Sequence, residues 1–572
     1  MDISSLAAPA TPTSAFPYAQ PSLPTLLIAL SFLFFLNLLR ITADITLHAG
    51  LVAELFLGMV YGAPLAGVLP TEWETTFNVL GYLGLVCLIF EGGLSTNLSL
   101  LLPNLPLSCI CALTGIGFPI ALSFALLTAG YGYSSLEAFA AGAALSSTSL
   151  GTTLAALNSV SRHTSSTVTK VRELPCDPAP STAETPTGGA SRTSQASFCA
   201  PISGPPSLQQ TRIGTVLTSA AIIDDIVGLV IAALIPALAS LESSSPSDSN
   251  LAWTLIRPLL SSLLIALVVP ILARFILRPA FWFRGVGERW CAPRRQGKDW
   301  GWKRLLSRSE WGTESHADFV KVSVMVCVLG AFLTIAYYTG SSMLFGAYMA
   351  GLALSYLARP PHDDHAQDEQ RAVSDDRAAA LSFELTYART FGPLQEYIFA
   401  PVFFASIGYA IPFLLLWRPR ILWRGVLYAI LMCIGKLAVG LPIMLWSVLA
   451  TGSRGVRHSP TERAARASGP SPSPQHSNRP DTLREPVHLS IYPAAFIGVA
   501  MVSRGEIGLL IAQIARNGSA TGGSADSASG LLSEEGFLVC IWAVLLCTLV
   551  GPICVGMIVR RWRAHITAGI WA

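Results

Sequence analysis

Thirteen apolar runs, 17 to 28 residues long, occupy most of the chain: 23–42, 49–68, 76–95, 104–127, 134–157, 213–240, 252–277, 317–338, 342–358, 393–416, 422–449, 490–515 and 534–559. A helix needs about 20 apolar residues to cross a bilayer. No water reaches the backbone N–H and C=O groups there, so a long apolar segment must satisfy them within itself, as a helix does. These runs predict an all-α polytopic membrane protein with about 13 transmembrane helices. Composition agrees, because 52% of the 572 residues are hydrophobic and only 12% are charged, against about 25% charged in a soluble domain.

The loops sort by charge. Connections after odd-numbered spans are rich in Lys and Arg, most densely Arg284, Arg289, Arg294, Arg295, Lys298, Lys303, Arg304 and Arg308. Most even-numbered connections have no basic residue, as in 241–251. The positive-inside rule then puts the N-terminus outside and the C-terminus in the cytosol. WRPRILWR (417–424) is the exception, an outer loop with three arginines. The expected organisation is an extracytosolic tail (1–22), a transmembrane domain (23–560) and a short cytosolic tail (561–572). Cytosolic disordered loops are expected at 158–212, 278–316, 359–390 and 451–488, three of them Ser/Pro/charge-rich and without apolar periodicity. Such loops point to a eukaryotic host, leaving plasma membrane and endomembrane both open. No basic residue precedes the first run, so it is expected to remain as a membrane helix. The 11 cysteines form no CxxC pair, and most read as small buried hydrophobes. GxxxxGK is absent, which leaves direct ATP use unsupported. The sequence suggests no enzyme, no cofactor and no nucleic-acid partner.

The sixth run contains SAAIIDDIVGLV (219–230), with Asp224 and Asp225 as its only charges. A charge at bilayer depth costs roughly 2.5–3.5 kcal/mol on insertion scales, so two need a reason. Adjacent helical residues point about 100° apart, and one structural partner cannot easily neutralise both. Other polar residues lie deep in apolar runs: Lys436 in LMCIGKLAVGLP, Arg504 and Glu506 in AMVSRGEIGLLIA, the hydroxyl-rich LSSTSLGTTL (145–154), and Glu91 near the end of its span. Each has a plainer reading. Lys436 can snorkel, Arg504 and Glu506 can form a structural ion pair, Glu91 can sit at the interface, and the hydroxyls can line a packing face. If one aspartate pairs with Lys436, the other is left to take a proton or a cation. That choice is the chemistry of an exchanger, and it needs an acidity poised near the working pH.

TSLGTT (148–153) and SRGEIG (503–508) both interrupt apolar runs with Gly and polar residues, seven spans apart. An odd shift reverses direction through the membrane. This is the signature of inverted repeats with two discontinuous helices crossing near the midplane.

These stretches resemble the monovalent cation:proton antiporter-2 family: SAAIIDDIVGLV, GAALSSTSLGTTL, LFGAYMAGLAL (344–354), IFAPVFFASIGYAI (398–411) and MVSRGEIGLLIA (501–512), in matching order. The resemblance implies that Asp225 carries the transported Na+ or K+ and the proton, and that Asp224 pairs with Lys436. It places Thr148, Ser149, Thr152 and Ser503 at the broken-helix crossover, with Arg504 and Glu506 balancing charge beside Lys436. It further implies a homodimer in a lipid bilayer, exchanging Na+, K+ or Li+ for H+. The chain departs from the resemblance in having no acid in its span-5 crossover and no nucleotide-sensing segment after span 13. A cation channel or uniporter would need a filter of carbonyl or charged rings, and no such segment is visible. A solute symporter of related fold would not need the Asp–Asp and Lys set.

Overall fold

The computed structural model describes residues 20–47, 49–96, 98–149, 211–243, 251–283, 291, 314–358, 381–456, 485–517 and 530–566. All the regular structure among them is helical. The helices are α1 (Leu23–Leu47), α2 (Gly50–Tyr61), α3 (Thr71–Ser95), α4 (Leu98–Ser123, prolonged by a π turn to Gly130), α5 (Ser135–Ser146), α6 (Arg212–Ser243) and α7 (Leu251–Leu272, continuing to Trp282). There follow α8 (Glu314–Thr339), α9 (Met343–Ala358), α10 (Phe383–Thr390, continuing through Gly392–Phe399 to Tyr409), α11 (Pro419–Leu437), α12 (Gly440–Val456), α13 (Glu485–Ala500), α14 (Glu506–Asn517) and α15 (Glu534–Ile566). Among the described residues, eight helical spans are long and apolar enough to cross a membrane by length and composition. Every run expected from the sequence falls on one of these helices or on a broken pair, except 150–157, which lies outside the described residues.

Packing divides the helices into two groups. In the first, α1 packs on α2, α8 on α9, α2 on α10, and α3 on both α9 and α10. In the second, α4 packs on α5, α6 and α11, α11 on α15, and α13 on α12 and α15. The pattern is that of an inverted repeat, because a shift of seven spans turns α1·α2 into α8·α9, α4·α6 into α11·α15, and α2·α10 into α9·α3. Two close crossings in the first group obey the same relation. A Cβ on Gly58 would collide with the carbonyl of Ala405, and one on Gly408 with that of Leu55. Likewise Gly93 meets the Tyr348 carbonyl and Gly351 the Phe90 carbonyl. Small residues let helices approach closely where lipid offers no hydrophobic drive between them.

Several boundaries differ from the sequence reading. The interval 359–390 is not all loop: Ser382 caps a helix by accepting from the Leu385 amide at 3.2 Å. Phe383, Thr386 and Tyr387 are buried one turn apart on it, a face too short to register as an apolar run. Helix also reaches into 278–316 at both ends (to Trp282, and from Glu314) and into 451–488 (to Val456, and from Glu485). Turns that leave the hydrocarbon tolerate polar residues, so hydropathy understates helix length. The expected tail 561–572 is likewise helix as far as Ile566, since α15 runs on past the hydrocarbon through polar residues. The remainder of those loops apart from Phe283 and Cys291, most of 158–212, and residues 1–19 and 567–572 lie outside the described residues. Span 11 is itself interrupted at Ala438 and Val439, between α11 and α12. Pro442 cannot donate to the Ala438 carbonyl and its ring crowds that oxygen, so the helix restarts one residue after Val439.

The arginine-rich stretch 417–424, expected as a loop, is helix from Pro419 onward, with proline starting α11, and its charges are explained locally. Arg424 donates to Glu535 at 2.7 Å and lies 4.5 Å from the Tyr131 ring centre, and Arg420 reaches Glu535 at 3.2 Å.

Candidate functional site

The two interrupted spans meet where α5 and α14 cross. Helix α5 stops at Ser146, and Ser147 turns extended (φ −61°, ψ 143°). On the other chain segment, α13 stops at Ala500 and α14 starts at Glu506. The breaks pair with each other: the Ser149 amide donates to the Ser503 carbonyl at 3.0 Å, and Ser503 Oγ donates to the Ser149 carbonyl at 3.1 Å. The approach requires glycine, because a Cβ on Gly505 would lie 2.7 Å from Ser149 Cβ.

Breaking a helix exposes the end of its dipole, with carbonyls at the C-terminus and amides at the N-terminus. Arg504, wholly buried, serves the first of these ends. Its Nη1 donates to the carbonyls of Ser147 at 3.0 Å and Ser146 at 3.4 Å, the last turn of α5. It forms no ion pair with Glu506 among the described residues. Glu506 instead occupies the first turn of α14, where a negative charge meets the positive end of the helix.

Beside the crossing, three side chains from three spans converge. Lys436 Nζ donates to Thr148 Oγ1 at 2.8 Å and to Asp224 Oδ2 at 3.1 Å. Thr148 Oγ1 in turn donates to Asp224 Oδ2 at 2.5 Å. The hydroxyl therefore accepts from the ammonium and gives to the carboxylate, a bridge that holds both. Lys436 and Asp224 are fully buried on their side chains. Gly115 of α4 leaves space for the lysine head, since a Cβ there would stand 3.3 Å from Nζ.

Asp225, one residue further on α6, is different. It is half-buried and makes no hydrogen bond or ion pair among the described residues, and its Oδ1 is a buried oxygen without a partner. Formal charges over Asp224, Asp225, Glu506, Lys436 and Arg504 leave one negative charge uncompensated. A site built this way can hold one monovalent cation or one proton at a time on a carboxylate that nothing else claims.

The structure thus brings together Asp224, Thr148 and Lys436, sets Asp225 beside them, and puts Ser149, Ser503, Arg504 and Glu506 at the crossing. Thr152 lies outside the described residues. Sequence reasoning passed over Ser147, whose buried Oγ has no partner; the signal was the unbroken hydroxyl run of 146–149. It also passed over Glu54, 3% exposed and 3.7 Å from Arg40, which reaches Glu396 at 3.6 Å. A lone acid inside LVAELFL was the available sign of it.

Comparison with known proteins adds an independent line. A family model described as sodium/hydrogen exchanger, transmembrane, matches residues 26–171 and 300–561, more than half of the chain. The double aspartate lies between the matched segments, so the match rests on other spans. The high-affinity Na(+)/H(+) antiporter NhaS3 of Synechocystis sp. is 34% identical over 117 residues, 20% of this chain. The chain spans about a quarter of the length of that curated relative (25%). The solved structure of the sodium proton antiporter MjNhaP1 from Methanocaldococcus jannaschii at pH 8 superposes with a TM-score of 0.50, covering 94% of this chain and 99% of that one at 15% identity. That likeness is one of fold. By its matched spans, its inverted helical repeats and its broken crossing helices, the chain belongs to the sodium/hydrogen exchanger family of cation:proton antiporters.

Proposed function

We propose that this protein exchanges Na+ or K+ for H+ across a membrane by letting the two compete for Asp225. The observation that carries the reading is a carboxylate midway along a membrane helix with no protein partner among the described residues, next to an acid whose Oδ2 is held by a lysine and a hydroxyl. Asp224 is held by Thr148 and Lys436, so that pair is internally neutral and fixes the floor of the site. Asp225 then needs one positive charge, and a proton or a cation each supplies it. No covalent bond is made or broken. The two repeats cross beside this site, where α5 and α14 are broken, which suits exposure of the site first to one side and then to the other.

Loop charge supports a cytosolic C-terminus and an outside N-terminus, and local pairing of Arg420 and Arg424 with Glu535 removes the objection from the outer loop. Family resemblance supports a homodimer, and α1 turns Leu27, Leu30 and Phe34 outward, where lipid or a second copy would cover them.

Competition has a signature. In proteoliposomes, the half-saturating cation concentration should rise by up to about tenfold for each pH unit of acidification once the proton occupies the site, while the maximal rate holds. A half-saturating concentration independent of pH across the active range rules out a shared site.

A further inference from the structure

Asp225 is not the only carboxylate here without a partner. Glu506, half-buried on the first turn of α14, forms no ion pair and accepts no hydrogen bond from another residue among the described ones. Its position relative to Asp225 follows from Gly228, three residues after Asp225 and so on the same face of α6. A Cβ on Gly228 would lie 3.1 Å from Ile507 Cγ2 and 3.8 Å from Ser147 Cβ. The residue after Glu506 and the first extended residue after α5 therefore both rest on the α6 face that carries Asp225.

Two further oxygens at this place are unpartnered. Ser147 is 1% exposed and its Oγ has no hydrogen-bond partner, and Asp224, also 1% exposed, has a free Oδ1. Buried polar atoms are rarely left unpaired unless a ligand or ion meets them. Capping the α14 dipole explains why an acid is tolerated at 506, but it explains neither the orphaned Ser147 hydroxyl nor the orphaned Oδ1.

We propose that Glu506 and Ser147 form the second half of the transported-cation site, opposite Asp225, and that Glu506 sets its preference for small cations. This rests on the exchange reading above. A site with two carboxylates and a hydroxyl presents hard, strongly charged oxygens. Such oxygens favour the cation with the shortest approach, so Li+ and Na+ are held over K+. The span-5 crossover lacks an acid, and the second carboxylate comes from the opposite crossover instead.

The test compares wild type with Glu506→Gln, Glu506→Asp and Ser147→Ala, using the chlorides of Li+, Na+ and K+. Cation-driven proton flux in proteoliposomes gives half-saturating concentrations, and cation-dependent thermal stabilisation in detergent reads binding without transport. Wild type should favour Na+ and Li+ over K+. Glu506→Gln should raise the half-saturating Na+ and Li+ concentrations about ten- to a hundredfold, the effect of removing one charged ligand from a largely desolvated site. K+ should be affected much less, so that selectivity collapses. Glu506→Asp should keep most of the selectivity, a rescue that a pure packing role would not give. If Glu506→Gln fails to fold, Ser147→Ala carries the test, with an expected rise of about threefold or more for Na+. Unchanged Na+ affinity and unchanged selectivity in these variants would overturn the proposal and leave Glu506 as a helix cap. Exchange that persists in Asp225→Asn is a different result, and it defeats the underlying reading instead.

Discussion

Lys436→Met keeps the length of the side chain and removes its charge. In the native site, Lys436 gives one hydrogen bond to Thr148 (2.8 Å) and one to Asp224 (3.1 Å), and neither ionic side chain is exposed. The substitution leaves a fully buried carboxylate with only the Thr148 hydroxyl as donor. Removing one partner of a buried ion pair costs about 3–5 kcal/mol, since the survivor remains desolvated and unpaired. Methionine fills nearly the same volume, so little of that loss is cavity. Asp224→Asn added to Lys436→Met removes the orphaned charge and should recover most of the stability, giving a coupling of several kcal/mol in the double-mutant cycle. The assay is denaturant or thermal unfolding in detergent followed by tryptophan fluorescence. Choline buffer replaces Li+, Na+ and K+, because a bound cation would itself add stability. If Lys436→Met unfolds with wild type, or the double variant is no more stable than the single, the pair does not bear the charge balance described here.

Two other outcomes follow from the geometry. Gly505→Val should prevent the crossing of the two broken spans, because even a Cβ would stand 2.7 Å from Ser149 Cβ; loss of stability and of exchange together is expected, and a well-folded active variant contradicts the packing. Cysteines placed in 241–251 should react with an impermeant thiol reagent added outside intact cells and those in 284–308 should not; the reverse pattern inverts the orientation.

Much of the fold was legible because the bilayer removes alternatives. A run as long as 213–240 can be little but a crossing helix, and two polar, Gly-containing breaks at mid-depth announce discontinuous helices. What hydropathy could not reveal was where helices continue past the hydrocarbon, as at Phe383–Thr390, or where a break is made by a proline downstream, as in span 11. For the site, charge cost alone drew attention to Asp224, Asp225 and Lys436. The choice of Thr148 as the bridging hydroxyl was invisible, since three neighbouring serines offered the same chemistry and only the path of the extended segment selects among them. The roles of Arg504 and Glu506 were misleading at sequence level for a related reason. Opposite charges two residues apart suggest a pair, yet the helix break turns Arg504 back to the carbonyls of Ser146 and Ser147.

The central claim is that Asp225 is where cation and proton compete. Asp225→Asn preserves shape and removes the exchangeable charge. Purified wild type and variant, reconstituted in the same vesicles carrying an internal pH dye, should be challenged in turn with Na+, K+ and Li+. The account predicts cation-dependent alkalinisation or acidification by wild type, according to the direction of the gradient. It predicts none above protein-free vesicles for the variant, with equal protein inserted. Substantial cation-coupled proton flux through Asp225→Asn would contradict it.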